Sequence, residues 1–138
     1  MADADVLLLE IATPVGLALS TRCESIAAPS VEGEFGVLPG HLPLLAALRS
    51  GVVKYRAEGK DHVVAVGPGF VEAGPEKVLL LTDSFARPSD VDADAVRAEL
   101  ENVERRLAEL PADAPRVDQE ELLRDIEWAH ARLAIVEH

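Results

Sequence analysis

All nine glycines of this 138-residue chain lie between Gly16 and Gly74, and the last 64 residues contain none. Glycine serves tight turns and positive φ, and it weakens helix interiors. A glycine-punctuated stretch followed by a glycine-free, charge-dense one therefore predicts strands first and helices second. Charge divides in the same place: residues 1–86 carry a net −5 and residues 87–138 a net −7. Arg87-Pro88 marks the junction, because the residue before proline avoids helical geometry and proline suits a helix start. The expected domains are 1–86 and 87–138.

The first half reads as short strands. Leu17, Leu19 and Thr21 alternate with Ala18, Ser20 and Arg22, and Val53 and Tyr55 alternate with Lys54 and Arg56. A period of two puts one row inside and one in solvent. The runs VLLLEI, HVVAV and KVLLL are too apolar for one-sided exposure and read as strands near the core. Gly59 and Gly74 sit in AEGKD and EAGPEK, where tight turns are expected. Seven or more such strands make a β-sandwich or flattened barrel. With 49% hydrophobic but only 4% aromatic residues, its core must be aliphatic.

The second half reads as two helices. Val96, Leu100, Val103, Leu107 and Leu110 step by three and four, as do Leu122, Ile126, Ala129, Leu133 and Val136. Each set is one narrow apolar stripe, the seam of a helix packed on another helix. Pro111 and Pro115 end the first helix and set a turn. Asp118 with Glu121 offers an N-cap and capping box for the second. Glu101 with Arg105, and Glu120 with Arg124, are i,i+4 pairs in the favourable order. The product is an antiparallel hairpin, marginal alone and in need of a surface.

Several functions are excluded or disfavoured. A net charge of −12 argues against nucleic acid and against an anionic membrane as direct partners. Cys23, the single cysteine, allows no internal disulfide or thiolate metal cluster and reads as a small hydrophobe at a strand position. The amino terminus opens on aspartates rather than a basic leader, and no run reaches the ~20 apolar residues of a membrane span. The expectation is a soluble cytoplasmic protein. His41, His62, His130 and His138 show no metal-ligand spacing, and no HExxH, GxSxG, CxxC or Walker loop occurs. His41 and Glu34 invite an acid–base pair, but no nucleophile or metal accompanies them. A non-catalytic interaction protein outranks an enzyme. A stand-alone sandwich module with a dimerising hairpin, and a small hydrolase or nucleotide-binding regulator, are the alternatives.

The densest run of specialised backbone residues is EGEFGVLPGHLPLLAALRSGVV, Glu32 to Val53. It resembles the signature of the epsilon subunit of F-type ATP synthases (delta in mitochondria) through Glu34, Gly36, Pro39, Gly40, His41, Pro43, Leu44 and Leu45. The likeness continues through GPGFVEAGPEKVLLLTDSFAR, with Asp83, and reaches RLAIVEH at the end. The resemblance implies a sandwich of about ten short strands followed by a helical hairpin. It also implies a non-catalytic central-stalk subunit that grips the gamma subunit and rests on the ring of c subunits. The complex would hold it at the cytoplasmic face of the bacterial inner membrane, peripherally, without insertion and not as a homo-oligomer.

Residue roles follow from the same resemblance. Glu34, Gly36, Pro39, Gly40 and His41 are the implied ring contacts, Glu34 meeting a basic residue of the ring loops. In some relatives the folded hairpin binds ATP. Here Asp94, Arg97 and Ala98 match that motif and Arg132 fits a second-helix position, while Ala93 and Trp128 depart from it. Weak regulatory ATP binding is the expectation, with no other cofactor and no metal. In the extended state the hairpin would meet the alpha/beta catalytic head through Arg97, Arg105 and Arg106. Glu99, Glu101, Glu104 and Glu109 surround those arginines, so inhibition of hydrolysis should be mild.

Overall fold

The computed structural model describes residues 5–137. Residues 1–4 and His138, which include Asp3 of the amino-terminal aspartates and one of the four histidines, lie outside them. Ten strands form one continuous, strongly bent sheet. They are β1 (Leu7–Thr13), β2 (Gly16–Cys23), β3 (Ser25–Ser30), β4 (Gly33–Val37), β5 (Leu44–Leu48), β6 (Gly51–Ala57), β7 (Lys60–Val66), β8 (Gly69–Ala73), β9 (Lys77–Thr82) and β10 (Phe85–Ala86). The order is β10-β7-β6-β3-β5-β8-β9-β1-β2, with β4 on the other edge of β3. Strands β1 and β9 run parallel, and the other pairs are antiparallel.

The two layers meet at β3. Ser25–Ala27 pair with β6, whereas Ser30 pairs with Leu48 of β5. Between the layers lies an aliphatic core: Leu7, Leu9 and Ile11 of β1, Val71 of β8, Val78 and Leu80 of β9, with Val53, Val64 and Val66 opposite. Cys23 is buried among them, its thiol 3.8 Å from the Leu7 carbonyl. Burial, with a smaller contribution from neighbouring Glu24, pushes that thiol up to about 11.

One expected alternation fails for a clear reason. The β1–β2 register slips between Ile11 and Ala12: Ile11 faces Leu19, but Ala12 faces Leu17. The extra residue, Ala18, is a β-bulge, which reverses the facing of what precedes it. Leu19 joins the core while Leu17 stays 59% exposed. The run KVLLL is also one-sided, Val78 and Leu80 being buried and Leu81 half-exposed.

Space is tightest where β8 begins. A Cβ on Gly69 would lie 1.8 Å from the Leu81 carbonyl oxygen, and one on Gly67 would lie 2.3 Å from Asp83 Oδ1. Buried Thr82 fills the same corner, its hydroxyl 2.9 Å from the Gly67 carbonyl. The segment Gly67-Pro68-Gly69 is thus a packing element.

A 3-10 turn, Pro88–Asp90, leads to α1 (Ala93–Ala108) and α2 (Arg116–Ala134). Asp92 caps α1, accepting from the Ala95 amide at 3.2 Å. Helix α2 starts earlier than expected: Pro115 is its N-cap and Asp118 lies in the first turn, where its charge suits the helix dipole. Glu120 pairs with Arg116 rather than Arg124, and Arg105 bonds Asn102 rather than Glu101. Helix α2 is not limited to one stripe. Leu122, Ala129 and Leu133 are buried, the last two packing with Val96 of α1. A second set, Ala131 with half-buried Trp128 on α2 and the C-cap residue Ile135, packs on Ala65 of β7 and Ala86 of β10. Small residues on both sides let the helix approach the sheet closely. The hairpin has found its surface within its own chain, and both seams are occupied there.

Replacing Gly69 with alanine should destabilise the fold by about 3 kcal/mol or more, since rigid backbone must move. Gly59→Ala, where φ is +74° and the site is open, should cost only about 1 kcal/mol. Urea unfolding of both variants checks the ranking. Cys23 should resist a thiol reagent at pH 8 in the folded protein, because thiolate is scarce below its raised pKa and access is closed. The same reagent should label it fully once urea has unfolded the chain.

Candidate functional site

The signature segment divides into three structural pieces. Gly33–Val37 is edge strand β4, Leu38 to Pro43 form a turn, and Leu44 opens β5. Strand β4 spans about 13 Å at ~3.3 Å per residue. Glu34 therefore sits near its start, opposite Pro29, while the Pro39-Gly40-His41 turn lies beyond its end. The two groups do not meet. Glu34 faces Lys54 Nζ at 4.0 Å, both side chains mostly exposed. His41 Nδ1 lies 2.6 Å from the Leu42 carbonyl, so the imagined acid–base pair is not formed.

The turn is built to protrude. Gly40 takes φ +86°, a left-handed geometry that glycine adopts without penalty. Its amide donates to the Pro75 carbonyl at 2.8 Å, tying the turn to the β8–β9 connection. Leu38 and Leu42, on either side, are 63% and 81% exposed. Gly36 has open space beside it on β4, where a Cβ would meet only the Ile26 carbonyl oxygen, at 3.9 Å. Glu34 and Gly36 thus belong to a strand edge, and Pro39, Gly40 and His41 to a separate apolar-flanked knuckle.

A larger surface went unread in the sequence. Register places Ala47, Phe70, Leu81, Ala12 and Leu17 side by side across β5, β8, β9, β1 and β2. At ~4.8 Å between strands this row runs about 19 Å. Phe70, Leu81 and Leu17 are each half or more exposed. The neighbouring row carries exposed Leu45, then Glu72, Leu79 and Glu10, the last paired with Lys77 at 2.6 Å. Beside it lies a cleft of about 680 Å³ lined in part by Pro43, Leu45, Glu72, Pro75 and Lys77. The hairpin lies on β6 and β7, so it leaves this face open. A signal lies in KVLLL, which is too apolar for a solvated strand, yet among the described residues its outward Leu81 stays half-exposed.

The remaining candidates lie on the hairpin. Arg97 pairs with Asp94 at 2.6 Å and with Glu137. Arg132 takes both oxygens of Glu99 in its fork, at 2.8 and 3.2 Å, with its guanidinium 5.2 Å from the centre of the Trp128 ring. Ala98 is exposed on α1. Arg106 lines a small depression at the hairpin tip with Glu109, Asp118 and Glu121. Arg97, Arg105 and Arg106 form no single basic patch, since carboxylates or an amide stand at each. Among the described residues no group of three or more His, Cys, Asp or Glu is placed to hold a metal ion, and no helix is long and apolar enough to cross a membrane.

The geometry can be set beside known proteins. The family model of the beta-sandwich domain of the ATP synthase delta/epsilon chain matches residues 6–88. The ATP synthase epsilon chain of Nitratidesulfovibrio vulgaris strain DP4 is 41% identical over 127 residues, 92% of either chain. That of Moorella thermoacetica is 43% identical over 104 residues, 75% of this chain and 78% of its own. Among solved structures, a chain of the Euglena gracilis mitochondrial ATP synthase (OSCP/F1/c-ring, rotational state 1) superposes with TM-score 0.77 at 24% identity, covering 94% of this chain and 82% of that one. A chain of the Tetrahymena thermophila mitochondrial ATP synthase central stalk and c-ring gives TM-score 0.53 at 11% identity, covering 94% and 92%. These two show likeness of fold.

Phe70→Ser and Leu81→Ser remove apolar surface that touches little. Each should shift the unfolding free energy by under about 1 kcal/mol while improving solubility. Denaturant midpoints and precipitation thresholds of the purified variants check this.

Proposed function

Because this chain belongs to the delta/epsilon family of ATP synthase subunits, we propose that it is the joint of the rotor, clasping the gamma subunit and standing on the ring of c subunits. As a family member it is an accessory, non-catalytic subunit of an F-type ATP synthase, part of the central stalk. The observation that carries the finer reading is the uncovered row of Ala47, Phe70, Leu81, Ala12 and Leu17. Such a patch in an acidic chain calls for a permanent protein neighbour. Gamma is the neighbour this reading assigns to it. A rigid sheet suits the task, since a part that transmits torque must deform little.

The ring contact falls to the protruding features. The knuckle at Pro39, Gly40 and His41 offers Leu38 and Leu42 as apolar pads. Glu34, held only loosely by Lys54 in solvent, is free to exchange that partner for a basic ring residue. Its distance from the knuckle along β4 means that ring contact involves two separate points. The complex would hold the subunit peripherally at the cytoplasmic face of the membrane, where the hairpin modulates hydrolysis of ATP by the head.

Co-expression with a tagged gamma subunit tests the docking face. Wild-type protein should co-purify in equal amount, and the double change Phe70→Ser with Leu81→Ser should lower recovery at least about tenfold. Equal recovery of the two would remove the assignment. In the assembled enzyme Glu34→Lys should reduce ATP-driven proton pumping while hydrolysis continues, with pumping measured in membrane vesicles by the quenching of a pH-sensitive dye.

A further inference from the structure

The nucleotide site implied by family resemblance, at Asp94, Arg97, Ala98 and Arg132, requires its two arginines to present free guanidinium groups to phosphates. In this chain they are engaged. Arg132, only 15% exposed along its side chain, points its fork at Glu99 and aligns its Nε with the Trp128 carbonyl at 3.4 Å. The Trp128 ring occupies one of its sides. Arg97 lies between Asp94 of its own helix and Glu137 beyond the end of α2. A phosphate arriving here would have to displace three carboxylates, Glu99, Asp94 and Glu137, and then sit beside them, like charge against like. The residues do not fit the nucleotide.

We propose that the hairpin is latched shut by its own carboxylates, Glu99 on Arg132 and Glu137 on Arg97, which do the work of a bound anion. Each pair joins α1 to α2 or to the residues just after it, so together they close the seam beside Val96, Ala129 and Leu133. The bidentate pairing of Glu99 with Arg132 is the stronger, because its geometry is fixed by the fork and the guanidinium is shielded by Trp128. The Arg97 pair is half-exposed and correspondingly weaker. Closure is therefore built into the sequence and set by ionic strength rather than by nucleotide supply. The inference rests on hairpin contacts alone and is independent of what the sandwich docks on.

Amide hydrogen exchange on the full chain tests it. In nucleotide-free buffer the α1 amides should be protected, and millimolar MgATP should leave that protection unchanged. Glu99→Gln combined with Glu137→Gln keeps size but removes both charges, and should speed α1 exchange about fivefold while sandwich amides stay as they were. The same variant, in which Arg132 loses its carboxylate while Arg97 keeps only Asp94, should bind MgATP more tightly than wild type by calorimetry, and affinity no higher than wild type would count against the carboxylates as stand-ins for an anion. Wild-type α1 that becomes protected only on adding MgATP would overturn the latch, as would a variant whose α1 exchange matches wild type. Capture by gamma should be equal for wild type and variant, so a failed latch and a failed docking face give different results.

Discussion

Strand β3 must satisfy hydrogen bonds toward three neighbours within six residues, and the shape of the sandwich is a consequence. One edge runs along β4. The other serves β6 first and then β5, so the sheet has to fold over at that point. The corner is tight enough that a Cβ on Gly51 would come within 2.9 Å of the Pro29 side chain. Once folded, each strand has an inward row, which the aliphatic core fills, and an outward row that needs another solution.

The two outward faces are solved differently. Over β6 and β7 the chain covers itself with α2, using Ala65, Ala86 and Ala131 to bring the surfaces together around Ile135. Over β5, β8, β9, β1 and β2 the described residues leave Phe70, Leu81 and Leu17 half or more exposed. Against a net charge of −12 this is informative. Mutual repulsion opposes association of free copies, while the uncharged stripe is the part of the surface that a partner could cover without meeting that charge. Acidity and apolarity thus perform separate tasks on one small surface.

Much of this was legible in the residues. Glycine placement announced strands before helices, and the three-and-four stepping of Val96, Val103, Leu122, Ala129 and Leu133 marked the hairpin seam. What escaped was whatever depends on a single-residue slip or on two faces of one element. The bulge at Ala18 sends Leu17 outward although the local alternation groups it with Leu19. The face formed by Trp128, Ala131 and Ile135 is hidden within α2 because alanine and an aromatic make no regular stripe. Asp118 looked like a cap, but Pro115 already supplies a helical φ and starts the helix first. Side-chain partners were the least readable: Arg132 finds Glu99, 33 positions away, through tertiary packing alone.

The bulge has a further consequence through the residue that serves it. A bulged carbonyl lacks its ladder partner, and that of Ala18 is met at 2.9 Å by the Arg87 guanidinium, which also lies 5.2 Å from the Phe85 ring centre. Arg87 follows the last strand and precedes the helices, yet its side chain completes the hydrogen bonding of β2. The sandwich as a physical unit therefore ends one side chain later than its strands do. A cut placed after Ala86 would strip the bulge of its donor next to Leu17, and a cut placed after Pro88 would leave it whole. The seam between the halves is drawn by a guanidinium, and the first residue of the helical half is the last structural part of the sheet.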